Sequence, residues 1–285
     1  MCKKPKLANK TGFCLAFCFG AANARGSMSK SPPCPILVIN LRGSTTRWEK
    51  ASAELTRVGL AFERHEASDG RVLREEELSR LAPWSPSAFF KPLSPGEIGC
   101  FLSHITAAER IVREGWERTL VLEDDFLLGE DFVSRLEDVL SLPGPPLDLI
   151  KIEGALCGGE TVAVTRGGQR ICRHRRPPSR TAAQIWSLRG AHRFLATARP
   201  FLRPVDVHLK HWWEHSVEVF YVMPPLVLDG DATGATSTIG ARPAKGFVGS
   251  LRRFRYKVGF AFSSHGHYVW AYGIKAWVRM IFGKA

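Results

Sequence analysis

The sequence predicts an α/β fold with a mostly parallel central sheet and helices on both of its faces. Short apolar runs, of which residues 36–41 are the clearest, are typical of buried parallel strands. Between these runs, apolar residues recur every three or four positions, as on one face of a helix. The chain has 285 residues, 45% of them hydrophobic, which suffices for a sizeable core in one large domain or two small ones. This composition excludes low-complexity disorder, collagen and a coiled coil.

The first helix and the second strand follow from local signals. Thr46 and Glu49 have the spacing of a capping box, which predicts that a helix begins beside them. Residues 61–65 predict a second strand, and the turn formed by Asp69 and Gly70 ends it.

The clearest helix start in the chain is at Ser94. Ser94 is placed to be the N-cap, Pro95 the first helical residue and Glu97 the third, so the Glu97 side chain can close a capping box. Gly115 predicts the end of this helix. We expect Glu97 to serve the cap, and we interpret His104 as a buried, hydrogen-bonded histidine rather than a catalyst.

The α/β pattern continues beyond this helix. The further predicted elements are a strand at 119–122, a helix at 130–140 and a strand at 147–152. Ligand sites in such sheets lie outside the carboxyl ends of the strands. Residues 166–180 contain six Arg and no acid and predict a mobile loop, whose charge is either solvated or in contact with a phosphate or an acceptor.

Three consecutive acids, Glu123, Asp124 and Asp125, directly follow the strand at 119–122. Each carboxylate raises the pKa of its neighbours unless a cation compensates for the charge. In extended backbone Glu123 and Asp125 point one way and Asp124 the other. The first and third acids can therefore hold Mg²⁺ or Mn²⁺ and leave positions open for substrate phosphates. The alternative is a solvated acidic turn that caps the next helix.

The net charge of +13 is concentrated at the two ends of the chain. Residues 1–30 carry six Lys or Arg and residues 240–285 carry nine, with no acid in either segment, so residues 31–239 have a net charge of −2. A protein that tracks phosphates with its folded surface would spread such charge along a groove. Nucleic acid is therefore not an expected partner.

We divide the chain into three parts on this basis. Residues 1–30 are a basic leader, either a signal-like segment or an extension before a start at Met28. Residues 31–240 are the globular domain, and residues 241–285 are a basic, aromatic tail. Seven cysteines without metal-ligand spacing indicate reduced thiols and a cytoplasmic protein.

Four motifs occur in the order ILVINLRGSTTRWEK, EASDG, LSPGEIGCFLSH and TLVLEDD. With the later SLRGAHRFL, PVDVHL and STI, they resemble glycosyltransferase family 25, which includes bacterial lipopolysaccharide and lipooligosaccharide galactosyltransferases and the collagen galactosyltransferases. The likeness covers about residues 36–239. It implies a GT-A type nucleotide-sugar transferase fold and an inverting transfer that uses a UDP-sugar, usually UDP-galactose, and Mn²⁺.

The resemblance also assigns roles to individual residues. It implies that Glu123 and Asp125 hold the metal and the diphosphate, with Asp124 near the ribose or the sugar. Three further donor-binding residues are implied where the family's nucleotide site begins, after the first strand: Arg42, Ser44 and Arg47. The positive charge of the arginines suits phosphate, but Arg47 could instead lie on an exposed helix face.

Inverting transfer needs a base that takes the proton of the acceptor hydroxyl, and a carboxylate within hydrogen-bond reach can do this. Asp206, in PVDVHL, is the first candidate. Glu214, in HWWEH, is the second, because a sugar ring could pack on Trp212 and Trp213. Either acid could instead be a helix cap or a surface residue.

Two positions depart from the family pattern. Gln184 stands where an aromatic residue is common, and Leu188 stands where a basic residue is common. These differences leave the acceptor open, whether a free glycan or a glycolipid. The acidic motif that would serve the donor is intact.

The C-terminal tail interleaves aromatic and basic residues. Residues 268–282 predict a short helix with Lys275 and Arg279 on one side, which suits an anionic membrane surface. We therefore expect a peripheral protein on the inner face of the cytoplasmic membrane. The alternatives are that the aromatic residues pack on the catalytic domain or stack on single-stranded nucleic acid.

Two other function classes remain open at this point. One is a non-catalytic binding protein of the same fold, anchored by its basic ends to a membrane or to nucleic acid. The other is a metal-dependent phosphohydrolase, which would need no sugar acceptor.

Overall fold

The computed structural model describes residues 32–144, 146–154, 158–229 and 247–282. The predicted leader, residues 1–30, lies outside the described residues, as does the STI motif at 237–239.

Eight strands form one sheet in the order β2-β1-β3-β8-β5-β9-β7-β6. The strands of the structure are β1 (Ile36–Asn40), β2 (Glu63–Glu66), β3 (Arg118–Glu123), β4 (Phe126–Leu128), β5 (Leu149–Lys151), β6 (Glu160–Val164), β7 (Arg170–Arg173), β8 (Ala183–Ser187), β9 (Val219–Met223) and β10 (Val227–Asp229). Only β7 and β8 run against the other six strands of this sheet, while β4 and β10 pair separately. The predicted α/β class with a mostly parallel sheet is confirmed.

Helices cover both faces of the sheet, as predicted. The helices are α1 (Thr45–Arg57), α2 (Glu75–Leu81), α3 (Pro95–Glu114), α4 (Phe132–Leu140), α5 (Leu188–Thr197), α6 (Val205–Lys210), α7 (Trp212–His215) and α8 (Phe247–Phe282), with a short 3₁₀ turn at Gly70–Val72. Val38 and Leu122 belong to the apolar cluster that contains residues of α1 and α4. Leu37 and Val121 belong to the cluster that contains residues of α3 and α5. Alternate residues of β1 and β3 thus reach opposite faces.

The α3 start is confirmed in detail. The Ser94 hydroxyl accepts from the Glu97 amide at 3.3 Å, and the Glu97 carboxylate accepts from the Ser94 amide at 2.8 Å. Gly115 ends the helix in the left-handed conformation, with φ of 66°. Lys91 adds an ion pair to Glu97 at 2.6 Å, which further commits this acid to the cap.

The capping box predicted at Thr46 and Glu49 is wrong. Ser44 is the N-cap residue and α1 begins at Thr45, so Thr46 lies inside the first turn. The prediction that residues 166–180 form a mobile loop is also wrong in part, because β7 lies within this stretch. Buried Ile171 and Cys172 pair this strand with β9 and override its basic composition.

The tail is helical over a longer range than predicted. It comprises two helices, here labelled together as α8, which meet at non-helical backbone at Gly273 (φ 81°, ψ 163°). The chain folds back there, so that Trp277 of the second helix donates to His265 of the first at 2.8 Å. Lys275 is exposed, but Arg279 donates to Glu160 of β6 at 2.6 Å, so the two cations do not serve one common outward face. Among the described residues, no helix combines the length and hydropathy needed to cross a membrane.

Two glycines bring the loop after β2 against the first turn of α3. A Cβ built at Gly99 would lie 2.5 Å from the Ser68 carbonyl oxygen and 2.6 Å from the Gly70 amide nitrogen. The Ser68 amide donates to the Ser103 hydroxyl at 2.8 Å. The EASDG and LSPGEIG motifs therefore pack directly on each other.

We expect Gly99→Ala to lower the free energy of unfolding by about 1–3 kcal/mol, because backbone would have to move to admit the methyl group. Urea unfolding followed by circular dichroism measures this loss. Gly43→Ala is the matched control, since a Cβ there meets none of the described residues within 4 Å beyond its chain neighbours. Equal unfolding midpoints for the two variants would contradict the close approach.

Candidate functional site

A cavity of about 120 Å³ lies at the carboxyl ends of β1 and β3. All four N-terminal motifs contribute to its lining, which includes Asn40 and Arg47, Asp69, Gly96, and the acids that follow β3. In an open α/β sheet this edge is where ligands bind.

Glu123 ends β3 and turns toward α3. Its Oε1 atom lies 3.0 Å from His104 Nε2 and accepts from the Thr181 hydroxyl at 2.5 Å. Burial favours a raised pKa for Glu123, but the bonds from His104 and Thr181 outweigh it and hold the pKa below its ordinary value. His104 is 2% exposed, so the interpretation of this histidine as buried and hydrogen-bonded is confirmed.

Asp124 turns away from Glu123, toward the start of α1. The Asn40 amide donates to Asp124 Oδ2 at 2.5 Å, and Arg47 donates to Oδ1 at 3.0 Å. Arg47 therefore lies in the cavity, and the alternative of a merely exposed helix arginine does not hold. Asn40 is 1% exposed and is itself held by Arg64, which donates to its side-chain oxygen.

Asp125 lies beside Arg180, whose guanidinium is 3.6 Å from Asp125 Oδ2. The backbone amide of Arg180 lies 3.5 Å from a carboxylate oxygen of Asp206, the first candidate base. Burial, followed by the charges of Glu123, Asp206 and Asp125, raises the pKa of the Cys100 thiol well above its ordinary value. The structure thus brings Asp206 to the three acids.

Two predicted site residues lie apart from this group. Arg42 does not line the cavity, and its carbonyl oxygen accepts from Arg64 at 3.2 Å. Glu214 forms an ion pair with Arg203 at 2.6 Å, and this partner accounts for its position. Ser44, by contrast, lines the cavity as predicted.

The aromatic wall near Glu214 belongs to another cleft. Trp212 and Trp213 line a cavity of about 700 Å³ together with residues 216–218 and residues of α8. Residues 216–218 precede β9, which runs in the same direction as β3. This cleft therefore lies toward the amino ends of these strands, whereas the three acids lie at the carboxyl end of β3.

Sequence reasoning missed three residues that complete the site: Asn40, Thr181 and Arg180. Asn40 carried a usable signal, since it is the polar end of an otherwise apolar strand. Arg180 belongs to the basic stretch 166–180, for which contact with a phosphate or an acceptor is one of the two alternatives, but nothing in the sequence singles it out there. Thr181 carried no signal. The antiparallel pairing of β8 with β3 brings Thr181 to Glu123 and Arg180 to Asp125.

Cys100, His104 and Glu123 form the one group of potential metal-ligand side chains found among the described residues, with ligand atoms within 4.8 Å of one another. Burial and the neighbouring carboxylates raise the pKa of the Cys100 thiol, so a metal ion bound here would have to displace the thiol proton. In this structure the three side chains form a cluster in which His104 contacts Glu123 Oε1 at 3.0 Å.

The fold and the cavity define an α/β protein with an acidic ligand site at the carboxyl ends of parallel strands. Residues 34–153 match the model of glycosyltransferase family 25 (LPS biosynthesis protein). This match contains the four motifs and the acidic triplet, and the resemblance to glycosyltransferase family 25 is confirmed.

Two relatives that are similar over most of this chain are animal proteins. A probable inactive glycosyltransferase 25 family member 3 from Bos taurus is 27% identical over 235 residues, which are 73% of this chain and 39% of that protein. Procollagen galactosyltransferase 1 from Danio rerio is 23% identical over 231 residues, 70% of this chain and 37% of that protein. The chain thus spans less than two fifths of the length of these relatives.

A shorter and more similar segment is shared with a glycosyltransferase 25 family member from Anopheles gambiae, 38% identical over 111 residues, 37% of this chain and 19% of that protein. Among solved structures, a glycosyltransferase involved in the glycosylation of the major capsid of PBCV-1 is similar at a TM-score of 0.38 and 10% identity, over 79% of this chain and 98% of that chain.

We expect His104→Leu to make stability depend differently on pH. Because the native pKa of Glu123 is lowered, this carboxylate stabilises the fold above its ordinary pKa, and the stabilisation is lost as pH falls through the native value. The variant keeps the burial without the hydrogen bond, so the pKa of Glu123 rises. The free energy of unfolding should be about 1–3 kcal/mol lower than in the wild type near neutral pH, and this deficit should shrink at about pH 4, below the ordinary pKa of a glutamate.

Urea titrations at the two pH values measure the deficit. His104→Gln keeps an amide donor and should lose less than His104→Leu near neutral pH. A deficit that is independent of pH would contradict a role for His104 in lowering the pKa of Glu123.

Proposed function

We propose that the protein transfers a hexose, galactose from UDP-galactose, with inversion onto a sugar hydroxyl of a lipopolysaccharide, a lipooligosaccharide or another cell-surface glycan. One observation carries this proposal: the motif residues and the acidic triplet converge on a single cavity at the strand ends. The family resemblance supports transfer of a sugar, and a galactosyltransferase among the relatives supports the choice of galactose.

The side chains around the cavity suit a nucleotide diphosphate. Arg47 lies 3.0 Å from a carboxylate oxygen of Asp124, and Arg180 lies 3.6 Å from one of Asp125. A bound diphosphate would form ion pairs with these two arginines. Ser44, the N-cap residue of α1, lines the same cavity. Arg42, which lies outside the lining, would act only at the periphery of the donor.

The acids also fit a divalent cation. All of the contacts described for Glu123 fall on Oε1, so Oε2 takes part in none of them. With a carboxylate oxygen of Asp125, it provides the hard ligands that Mn²⁺ and Mg²⁺ prefer. Glu123 and Asp125 would therefore hold the ion, which when bound would neutralise the charge of the departing diphosphate.

Asp206 is the better placed of the two candidate bases, because it lies with Asp125 beside Arg180. In the reaction, the acceptor oxygen attacks the anomeric carbon and its proton passes to the Asp206 carboxylate. The bond from that carbon to the diphosphate breaks, and its electron pair leaves with UDP. Glu214 is engaged by Arg203 and serves the structure.

We expect Asp125→Asn to reduce metal-dependent release of UDP by about 100-fold or more, because the metal and the diphosphate lose a charged ligand. The assay follows nucleotide release from UDP-, GDP- and CMP-sugars, with Mn²⁺ and with EDTA. Asp131→Asn is the matched control, since Asp131 is exposed and its carboxylate lies 3.8 Å from Arg135. Turnover that survives EDTA and Asp125→Asn would contradict the proposed site.

We expect Asp206→Asn to lower transfer to free monosaccharide acceptors by about 10²–10⁴-fold, because the proposed base for the acceptor proton is removed. Binding of UDP-galactose, measured by calorimetry, should be retained. Glu214→Gln should leave transfer near the wild-type rate. If Glu214→Gln is the variant that loses transfer while Asp206→Asn keeps it, the assignment of the base is reversed.

A second function is supported by the relatives that are named inactive, which are similar over most of this chain. On this alternative the protein binds a sugar nucleotide or a glycan without transferring it. Calorimetric binding of a UDP-sugar without nucleotide release in the presence of any acceptor would favour this alternative. Fast phosphate release without an acceptor would instead indicate a phosphohydrolase.

A further inference from the structure

The helix α8 has two different faces. Leu251, Phe254, Val258 and Phe262 recur at intervals of three and four residues, which places them on one side of the helix, and their exposures are 50, 64, 38 and 75%. Large apolar side chains on the surface are ordinary when scattered, but a continuous stripe marks an interaction surface.

The opposite face of α8 is attached to the domain, and this fixes where the stripe points. Ser264 is fully buried and accepts from Arg175 at 3.1 Å. Tyr268 is also fully buried and donates to Glu160 at 2.9 Å. Phe260 packs against His211, with ring centroids 4.8 Å apart. The alternative that the tail packs on the domain therefore holds for this inner face only.

The part of α8 after Gly273 repeats the pattern. Ala276 and Met280 are buried, while the exposed apolar residues again recur at helical spacing. These exposed residues are Ile274, Val278, Ile281 and Phe282, at 58, 44, 39 and 71%. Both parts of the helix thus carry an apolar stripe on the side that faces away from the domain. We call the two stripes together the outer face of α8.

The charge along α8 identifies the kind of partner. Residues 247–282 contain no Asp or Glu, and the cations Arg255 and Lys257 are exposed beside the first stripe, as Lys275 is beside the second. A second copy of this chain would bring these cations against one another. An anionic lipid surface satisfies both the apolar stripe and the cations.

We propose that the outer face of α8 is a docking surface for an anionic lipid bilayer. The two helices of α8 lie along the surface, their apolar stripes enter the boundary between headgroups and acyl chains, and Arg255, Lys257 and Lys275 contact the headgroups. The buried contacts at Glu160 and Ser264 hold the domain at a fixed orientation to the bilayer. Such a surface would serve an acceptor that is itself a lipid, although the docking stands independently of the proposed transfer.

The test is co-sedimentation of the full chain with vesicles of phosphatidylcholine alone and with phosphatidylglycerol added. We expect binding to the anionic vesicles that weakens with salt. The double variant Phe254→Ser/Phe262→Ser should reduce the partition coefficient about tenfold or more. Val72→Ser/Val164→Ser is the matched control, since it removes apolar side chains that are 77 and 60% exposed elsewhere on the domain, and it should bind as the wild type does.

Three outcomes would overturn the proposal. They are equal binding to both kinds of vesicle, binding that survives Phe254→Ser/Phe262→Ser, and a change from dimer to monomer in this variant without any vesicle binding. The last would identify a second copy as the partner. Nucleotide release by Phe254→Ser/Phe262→Ser is measured in solution, where it does not depend on docking to a vesicle. It therefore tests the proposed transferase activity separately from membrane docking.

Discussion

The structure of the site depends on how three consecutive carboxylates at the end of a buried strand are compensated. The carboxylates receive different partners: Glu123 receives His104 and Thr181, Asp124 receives Asn40 and Arg47, and Asp125 lies near Arg180. These partners come from β1, α1, α3 and the segment before β8. The need to compensate charge at one point thus explains why distant segments of the chain meet there.

The compensation differs in kind among the three acids, and this difference separates their functions. Glu123 is bound by hydrogen-bond donors from within the fold, and these donors, together with the charge of buried Lys151, lower its pKa. Asp124 and Asp125 lie beside Arg47 and Arg180, whose side chains are 22 and 35% exposed, and Arg47 lines the cavity. Such arginines can exchange a carboxylate for a phosphate when a ligand enters, whereas the buried bond to His104 has no reason to change. The site therefore combines one fixed acid with two that can respond to a ligand.

The parts of this arrangement that were predictable are those that depend on neighbours in sequence. The cap of α3, the apolar strands β1 and β3 and the acids after β3 are all local signals, and each is in place. Thr181 and Arg180 reach the acids only because β8 runs against β3, and the sequence carries no local mark of that pairing. The aromatic neighbours of Glu214, Trp212 and Trp213, make it a candidate base in the sequence. In the structure these rings pack against α8 and not against the three acids. The positions of Thr181, Arg180 and Glu214 depend on strand pairing and on ring packing between segments that are distant in sequence, so local sequence signals do not predict them.

The basic tail shows the same dependence on context. Its charge suggested a uniform cationic segment, yet Glu160, which is 7% exposed, accepts hydrogen bonds from Arg279, Arg173 and Tyr268. Burial tends to raise the pKa of Glu160, and these three donors reverse the shift and keep the carboxylate charged. A buried charge of this kind stabilises only the geometry that supplies all of its donors. One acid of the sheet therefore distinguishes Arg279, which is 62% exposed but fastens α8 to the domain, from Arg255, Lys257 and Lys275, which lie beside the apolar stripes.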